Sequence, residues 1–213
     1  RGLGDVYKRQ APEHPYPAAL EDTIAAYHWL LEQGYPAEKI VVAGDSAGGG
    51  LALALCLWLK NHKEPLPSGV IAMSPWTDLT ISGESVETNF EKDPLFGKTR
   101  DSMLYNKDYL GDNDPTNEYI SPLFGDYEGF PPLLIQVGSY EMLLSDSTRV
   151  AKKAKEAGGK VKLSIYEGMF HVFQMAMLLM PESKKAWAEI KRFLHYLDTE
   201  ENEMQNISKE EKA

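Results

Sequence analysis

Short apolar runs alternate with longer amphipathic ones along this chain, and the two periods predict strands and helices in turn. Over residues 18–33, Leu20, Ile24, Tyr27, Trp29, Leu30 and Leu31 recur at helical spacing until Gly34 and Pro36 stop the run, so a helix packed on a sheet is expected there. Residues 40–43 read as a short buried strand, 47–60 as a helix apolar on most of its faces, and 70–73 as the next strand. The pattern then weakens into a polar excursion over residues 74–132, punctuated by Pro and Gly, with one helix expected over 99–110. Excursions of this length serve sites. A strand at 133–137, a helix at 145–157 closed by Gly158-Gly159, a strand at 161–166 and a last helix from about 182 to 197 complete the series. Strands alternating with helices predict an α/β fold, a mostly parallel sheet with helices on both faces, in which ligands bind beyond the carboxyl ends of the strands.

Composition narrows the picture at the ends and at the surface. The 213 residues, 43% of them hydrophobic, suffice for one domain, expected over residues 11–198. Residues 11–17 hold three prolines and form an extended lead-in, while the polar tail 199–213 is expected to be disordered. A net charge of -10 excludes a basic footprint for nucleic acid or an anionic membrane surface and suits a small neutral substrate. No run approaches the roughly 18 apolar residues of a membrane span, residues 1–10 lack a signal-peptide core, and the single cysteine, Cys56, lies in an apolar helical run. A cytoplasmic protein without stable membrane insertion is expected, with a homodimer as its assembly.

The candidate chemistry begins at Gly44-Asp45-Ser46-Ala47-Gly48-Gly49, where the apolar run 40–43 turns sharply into a helix. This matches the G-x-S-x-G nucleophile elbow, in which small residues two before and two after the serine let the backbone bend and hold the hydroxyl clear of the sheet. A phosphate loop is excluded because Gly49 is followed by Gly50 and Leu51 rather than by Lys and Ser or Thr.

A serine hydroxyl needs a histidine to take its proton and a carboxylate to orient that histidine. His28 and His195 lie within helical runs, His62 follows a helix end and His14 sits in the proline-rich lead-in. His171 follows the strand 161–166 through Glu167-Gly168-Met169-Phe170, late enough for the order Ser, acid, His. The acid should leave the preceding strand, whose loop offers Glu141 and Asp146; Glu141, closer to the strand end, is favoured, since Asp146 opens a helix where aspartate is common. Ala47 is the expected oxyanion donor, and substrate walls are expected from Trp76, Leu79, Phe90, Met142 and Phe173. No metal or cofactor is required.

Several motifs in order resemble the hormone-sensitive-lipase-type esterases, an α/β-hydrolase family: Ala11-Pro12-Glu13-His14-Pro15, the elbow, Ser74-Pro75-Trp76-Thr77-Asp78-Leu79, the loop Gly138 to Asp146, and Tyr166-Glu167-Gly168-Met169-Phe170-His171. The resemblance implies an α/β-hydrolase fold and a serine carboxylester hydrolase acting on small acyl esters, with Ser46 as nucleophile, Glu141 at the acid position and His171 as base. Its finer likeness is to acetyl and lactone hydrolases. Most members carry aspartate as the acid, and all carry a His-Gly-Gly-Gly oxyanion loop upstream of the elbow; this sequence has glutamate and no such loop. Tyr7-Lys8-Arg9-Gln10 also fits the family poorly. An N-terminally truncated fragment with residues 1–10 foreign or misread is therefore expected, the alternative being a compact variant. A peptidase with the same triad, or a non-catalytic binding protein on the same fold, are the rival functions.

Overall fold

The computed structural model describes residues 9–97 and 106–210, with residues 200–210 described by their backbone alone. Four strands, β1 (Val41–Asp45), β2 (Gly69–Met73), β3 (Leu133–Gly138) and β4 (Val161–Tyr166), form one parallel sheet in the order β1-β2-β3-β4. Register runs from Val41 opposite Gly69, through Val70 opposite Leu133, to Leu133 opposite Val161. The helices are α1 (Ala18–Glu32), α2 (Ala47–Asn61), the short α3 (Ser85–Thr88) and α4 (Lys107–Leu110), α5 (Leu144–Glu156) and α6 (Pro181–Glu210).

Parallel neighbours need a crossover, and a crossover of fixed hand that always steps the same way along the sheet lands on the same face. The β1-α2-β2 and β3-α5-β4 units obey this. On their shared face Leu53, Cys56 and Leu57 of α2 and Val150, Ala151 and Ala154 of α5 pack on Val70, Ala72, Leu133 and Ile135. The alternate residues Ile71 and Leu134 point the other way, where Ile190, Phe193 and Leu197 of α6 cover them. Apolar side chains on both faces explain why β2 and β3 are continuous hydrophobic runs.

Two expectations change. The helix over residues 18–33 packs chiefly on a neighbouring helix: Tyr27 of α1 meets Leu55 and Leu59 of α2, with Val42 of β1 against the same cluster. That second covering is why α2 is apolar almost all round. The last helix, expected to end near Leu197, runs to Glu210. Of the helix expected over 99–110, Lys107–Leu110 is helical and residues 99–105 lie outside the described residues, as do residues 1–8 of the poorly fitting N-terminal segment. Arg9 is described, and it pairs with Asp22 of α1 at 2.5 Å. Among the described residues no helix is long and apolar enough to cross a membrane.

Candidate active site

Ser46 stands between the end of β1 and the start of α2, with φ 54° and ψ -123°. A non-glycine residue there is strained, and the surrounding backbone holds it: Ser46 N donates to Met73 O of β2, and its carbonyl accepts from Gly50 N and Trp76 N. The glycines differ in what they do. A Cβ on Gly44 would lie 2.2 Å from Gly48 O, and one on Gly50 would lie 2.1 Å from Trp76 O, so both must be glycine. A Cβ on Gly48 would meet nothing within 4 Å. The tight bend requires the small residue before the serine, while the one after it faces open space.

His171 Nε2 lies 2.8 Å from Ser46 Oγ, and His171 Nδ1 lies 3.0 Å from Glu141 Oε2. With Nδ1–H donating to the carboxylate, Nε2 presents its lone pair to the serine hydroxyl. Glu141 is fully buried, and its Oε1 accepts from Gly138 N at 2.5 Å and Ser74 Oγ at 2.8 Å. The two loops carrying acid and base are laced together: Ser139 N donates to Tyr166 O, Tyr140 N to Met169 O, and Gly168 N to Ser139 Oγ. Gly138 permits this approach, since a Cβ there would lie 2.2 Å from Met169 O. Phe96 covers the imidazole, its ring centroid 4.4 Å from that of His171.

Asp146, the other acid considered, serves the backbone of the 74–79 loop. Its Oδ2 accepts from Thr77 N at 2.7 Å, Asp78 N at 2.9 Å and Thr77 Oγ1 at 3.3 Å. Burial pushes its carboxyl up to about 7, against the pull of those donors and with the help of the neighbouring Asp78 charge. Asp78 goes the other way: burial opposes ionisation, but donors from Ser82, Thr80 and Arg149 outweigh it and hold the carboxyl below its ordinary value.

At the start of α2, against the residues that follow Ser46, lies an open cavity of about 300 Å³ lined by Ala47, Gly48, Leu51, Trp76, Leu79, Tyr109 and Tyr119 among others, with neither Ser46 nor His171 in its wall. Its lining has no charged side chain among the described residues, and burial pushes the Tyr109 phenol up to about 12, so it too is neutral near pH 7. Ala47 is the first residue of α2, where a backbone N–H has no acceptor within the helix. Of the five expected substrate walls, Trp76 and Leu79 are in the lining. Phe90, Met142 and Phe173 are not. Met142 and Phe173 are fully enclosed, Met142 among Val86, Phe96 and Leu143 with Phe90 packed on that cluster, and Phe173 against Tyr166, because interior packing leaves no free surface on them.

The other histidines are placed apart from this group: His28 pairs with Glu64 at 2.5 Å and His62 stacks on Trp58 at 3.9 Å between ring centroids. The roles of Ser74 and Gly138, read in the sequence only as members of motifs, and of Phe96 and Asp93, not singled out there, emerge from the structure. Asp93 positions Phe96 and the acid loop by accepting from Phe96 N and Met142 N. For Ser74 and Gly138 the sequence signal was a family motif at a strand end; for Phe96 and Asp93 it was only their place in the long excursion. Among the described residues no group of His, Cys, Asp and Glu is placed to hold a metal ion.

Comparison with known proteins gives the same picture. A family model described as an alpha/beta hydrolase fold matches residues 6–175. An esterase of Acinetobacter venetianus is 46% identical over 189 residues, covering 88% of this chain and 62% of that protein. An acetyl-hydrolase of Streptomyces hygroscopicus is 41% identical, covering 85% of this chain and 60% of its own length. Among solved structures, an esterase from the bacterial hormone-sensitive lipase family superposes with a TM-score of 0.85 at 44% identity, covering 89% of this chain and 63% of that one. EstE5 soaked with p-nitrophenyl butyrate superposes at 0.82 with 41% identity, covering 89% and 63%. The chain thus spans less than two thirds of the length of these relatives.

Proposed function

The chain belongs to the hormone-sensitive-lipase-type esterases of the α/β-hydrolase family, and from that premise we propose that it hydrolyses small carboxylic esters through an acyl-enzyme. Ser46 is the nucleophile, His171 the general base and Glu141 the carboxylate that orients it. The observation that supports this reading is the unbroken run of hydrogen bonds from Ser46 Oγ through His171 to Glu141, at 2.8 and 3.0 Å.

Ser46 Oγ attacks the ester carbonyl as His171 Nε2 takes its proton, and the alcohol leaves with that proton. Water then gives a proton to His171 and its oxygen to the acyl carbon, releasing the acid and returning the proton to Ser46 Oγ. Ala47 N–H binds the oxyanion. The His-Gly-Gly-Gly loop that supplies a further donor in the family is not in this sequence, and one donor is worth about 3 kcal/mol, so labelling is a firmer readout than turnover. The uncharged cavity of about 300 Å³ suits an apolar limb of the ester. Acetyl and other short acyl esters, and lactones, are the substrates proposed, in keeping with the similarity to an acetyl-hydrolase.

A fluorophosphonate is expected to label the wild-type protein and not Ser46→Ala, and p-nitrophenyl butyrate to be cleaved in preference to a peptide p-nitroanilide. Labelling or esterase activity retained in Ser46→Ala would remove the reading, and faster anilide cleavage would make the protein a peptidase. A homodimer and a cytoplasmic setting complete the proposal. The outer strand β4 offers an edge for pairing, and the buried lone cysteine suits a reducing compartment. Sedimentation equilibrium and cell fractionation test them.

A further inference from the structure

Ser74 lies at the carboxyl end of β2, with φ 48°, and its side chain is fully buried. Its own N–H donates to Gln136 O of β3 at 2.7 Å, which pins the residue between the strands. Its hydroxyl makes two bonds in opposite senses. It donates to Glu141 Oε1 at 2.8 Å and accepts from Val172 N at 3.0 Å. Val172 follows His171 directly and has the left-handed conformation, φ 53° and ψ 37°.

We propose that Ser74 is a positioning residue for the reaction, one hydroxyl that holds the acid from the β3 loop and the base from the β4 loop in mutual register. The inference rests on the catalytic roles given above to Ser46, His171 and Glu141. Each end of the bridge controls a different freedom. Donation to Oε1 sets the rotation of the carboxylate, so that Oε2 faces His171 Nδ1. Acceptance from Val172 N holds the left-handed turn that aims the imidazole at Ser46. Gly138 N also binds Oε1, so loss of the hydroxyl leaves the carboxylate held on one side and the Val172 N–H with no partner.

The test compares wild type with Ser74→Ala and Ser74→Cys, the latter keeping a weak donor and acceptor of similar size. Two quantities are measured in the folded proteins: the rate of Ser46 labelling by a fluorophosphonate, and the downfield NMR resonance of the His171 Nδ1 proton. Displacing a catalytic group by about an ångström lowers rates by up to roughly a hundredfold, so Ser74→Ala is expected to label up to that much more slowly and to lose or shift the resonance, with Ser74→Cys between. If Ser74→Ala does not fold, the cysteine variant carries the same comparison. An unchanged resonance overturns the proposal whether or not the labelling rate falls, because Ser74 would then have no hold on the Glu141–His171 pair. Absence of labelling in wild type instead defeats the catalytic reading, while the resonance still reports on the bridge.

Discussion

At the scale of single residues, two carboxylates five positions apart have opposite duties because of what surrounds them. Glu141 meets an imidazole and two further donors, whereas Asp146 meets loop N–H groups and the adjacent Asp78 charge. Burial raises Asp146 to about 7 in the folded state, above the roughly 3.9 of an unfolded chain. The folded state therefore binds this proton more tightly. Its contribution is fully present below about pH 4 and is lost as pH rises toward 7, a component on the order of 4 kcal/mol. Asp78, whose carboxyl is lowered, loses its own contribution only at lower pH. Urea unfolding at pH 5 and pH 7.5 is expected to show this component in wild type, and Asp146→Asn should remove it. An identical pH dependence in both proteins would show that Asp146 titrates normally. Sequence placed both acids in the right loop; it did not contain the distances that divide their roles.

At the scale of elements, the β1-to-α2 turn works because its glycines are unequal. Gly44→Ala would put a Cβ 2.2 Å from Gly48 O, and backbone must move; a loss of about 1–3 kcal/mol is expected, with slower fluorophosphonate labelling as the strained serine shifts. Gly48→Ala has open space and stands in the first turn of α2, so it should be neutral or stabilise by up to ~1 kcal/mol. Since Gly48 lines the cavity, larger residues there should favour shorter acyl chains in a p-nitrophenyl ester series. Thermal unfolding of the two alanine variants checks the contrast, and equal destabilisation would refute it. The pattern of apolar runs was enough to locate the four strands and the starts of the main helices to within a few residues, but not the end of α6, which continues past Leu197. It did not reveal that α1 packs chiefly on α2 rather than on the sheet, since a helix stripe looks the same whichever apolar surface it meets.

At the scale of the whole molecule, the sheet is clamped from its second face by a polar anchor. Glu189 of α6 is 6% exposed and accepts from Gln136 of β3 at 2.8 Å, and from Ser164, Tyr166 and Lys162 of β4. Its carboxyl is held below the ordinary value: burial opposes this, and the donors overcome it. Glu189→Ala removes the acceptor of those donors, and a loss of about 1–3 kcal/mol in urea unfolding is expected. The labelling rate of the folded protein should change little, because Glu189 holds Gln136 and Tyr166 by their side chains and makes no hydrogen bond to Ser46, His171 or Glu141. A loss under 1 kcal/mol would show that the anchor is dispensable. By itself the sequence determined the alternation of strands and helices, the elbow, the chain order of serine, acid and histidine loops, and the family resemblance, because each is written in local spacing. Which carboxylate meets His171, which apolar side chains face the cavity and which are enclosed, and the Ser74 bridge were decided only by tertiary structure. Those contacts join residues dozens of positions apart, 67 in the case of Ser74 and Glu141, and a hydrogen bond of 2.8 Å depends on where the strands end relative to one another, which no local pattern encodes.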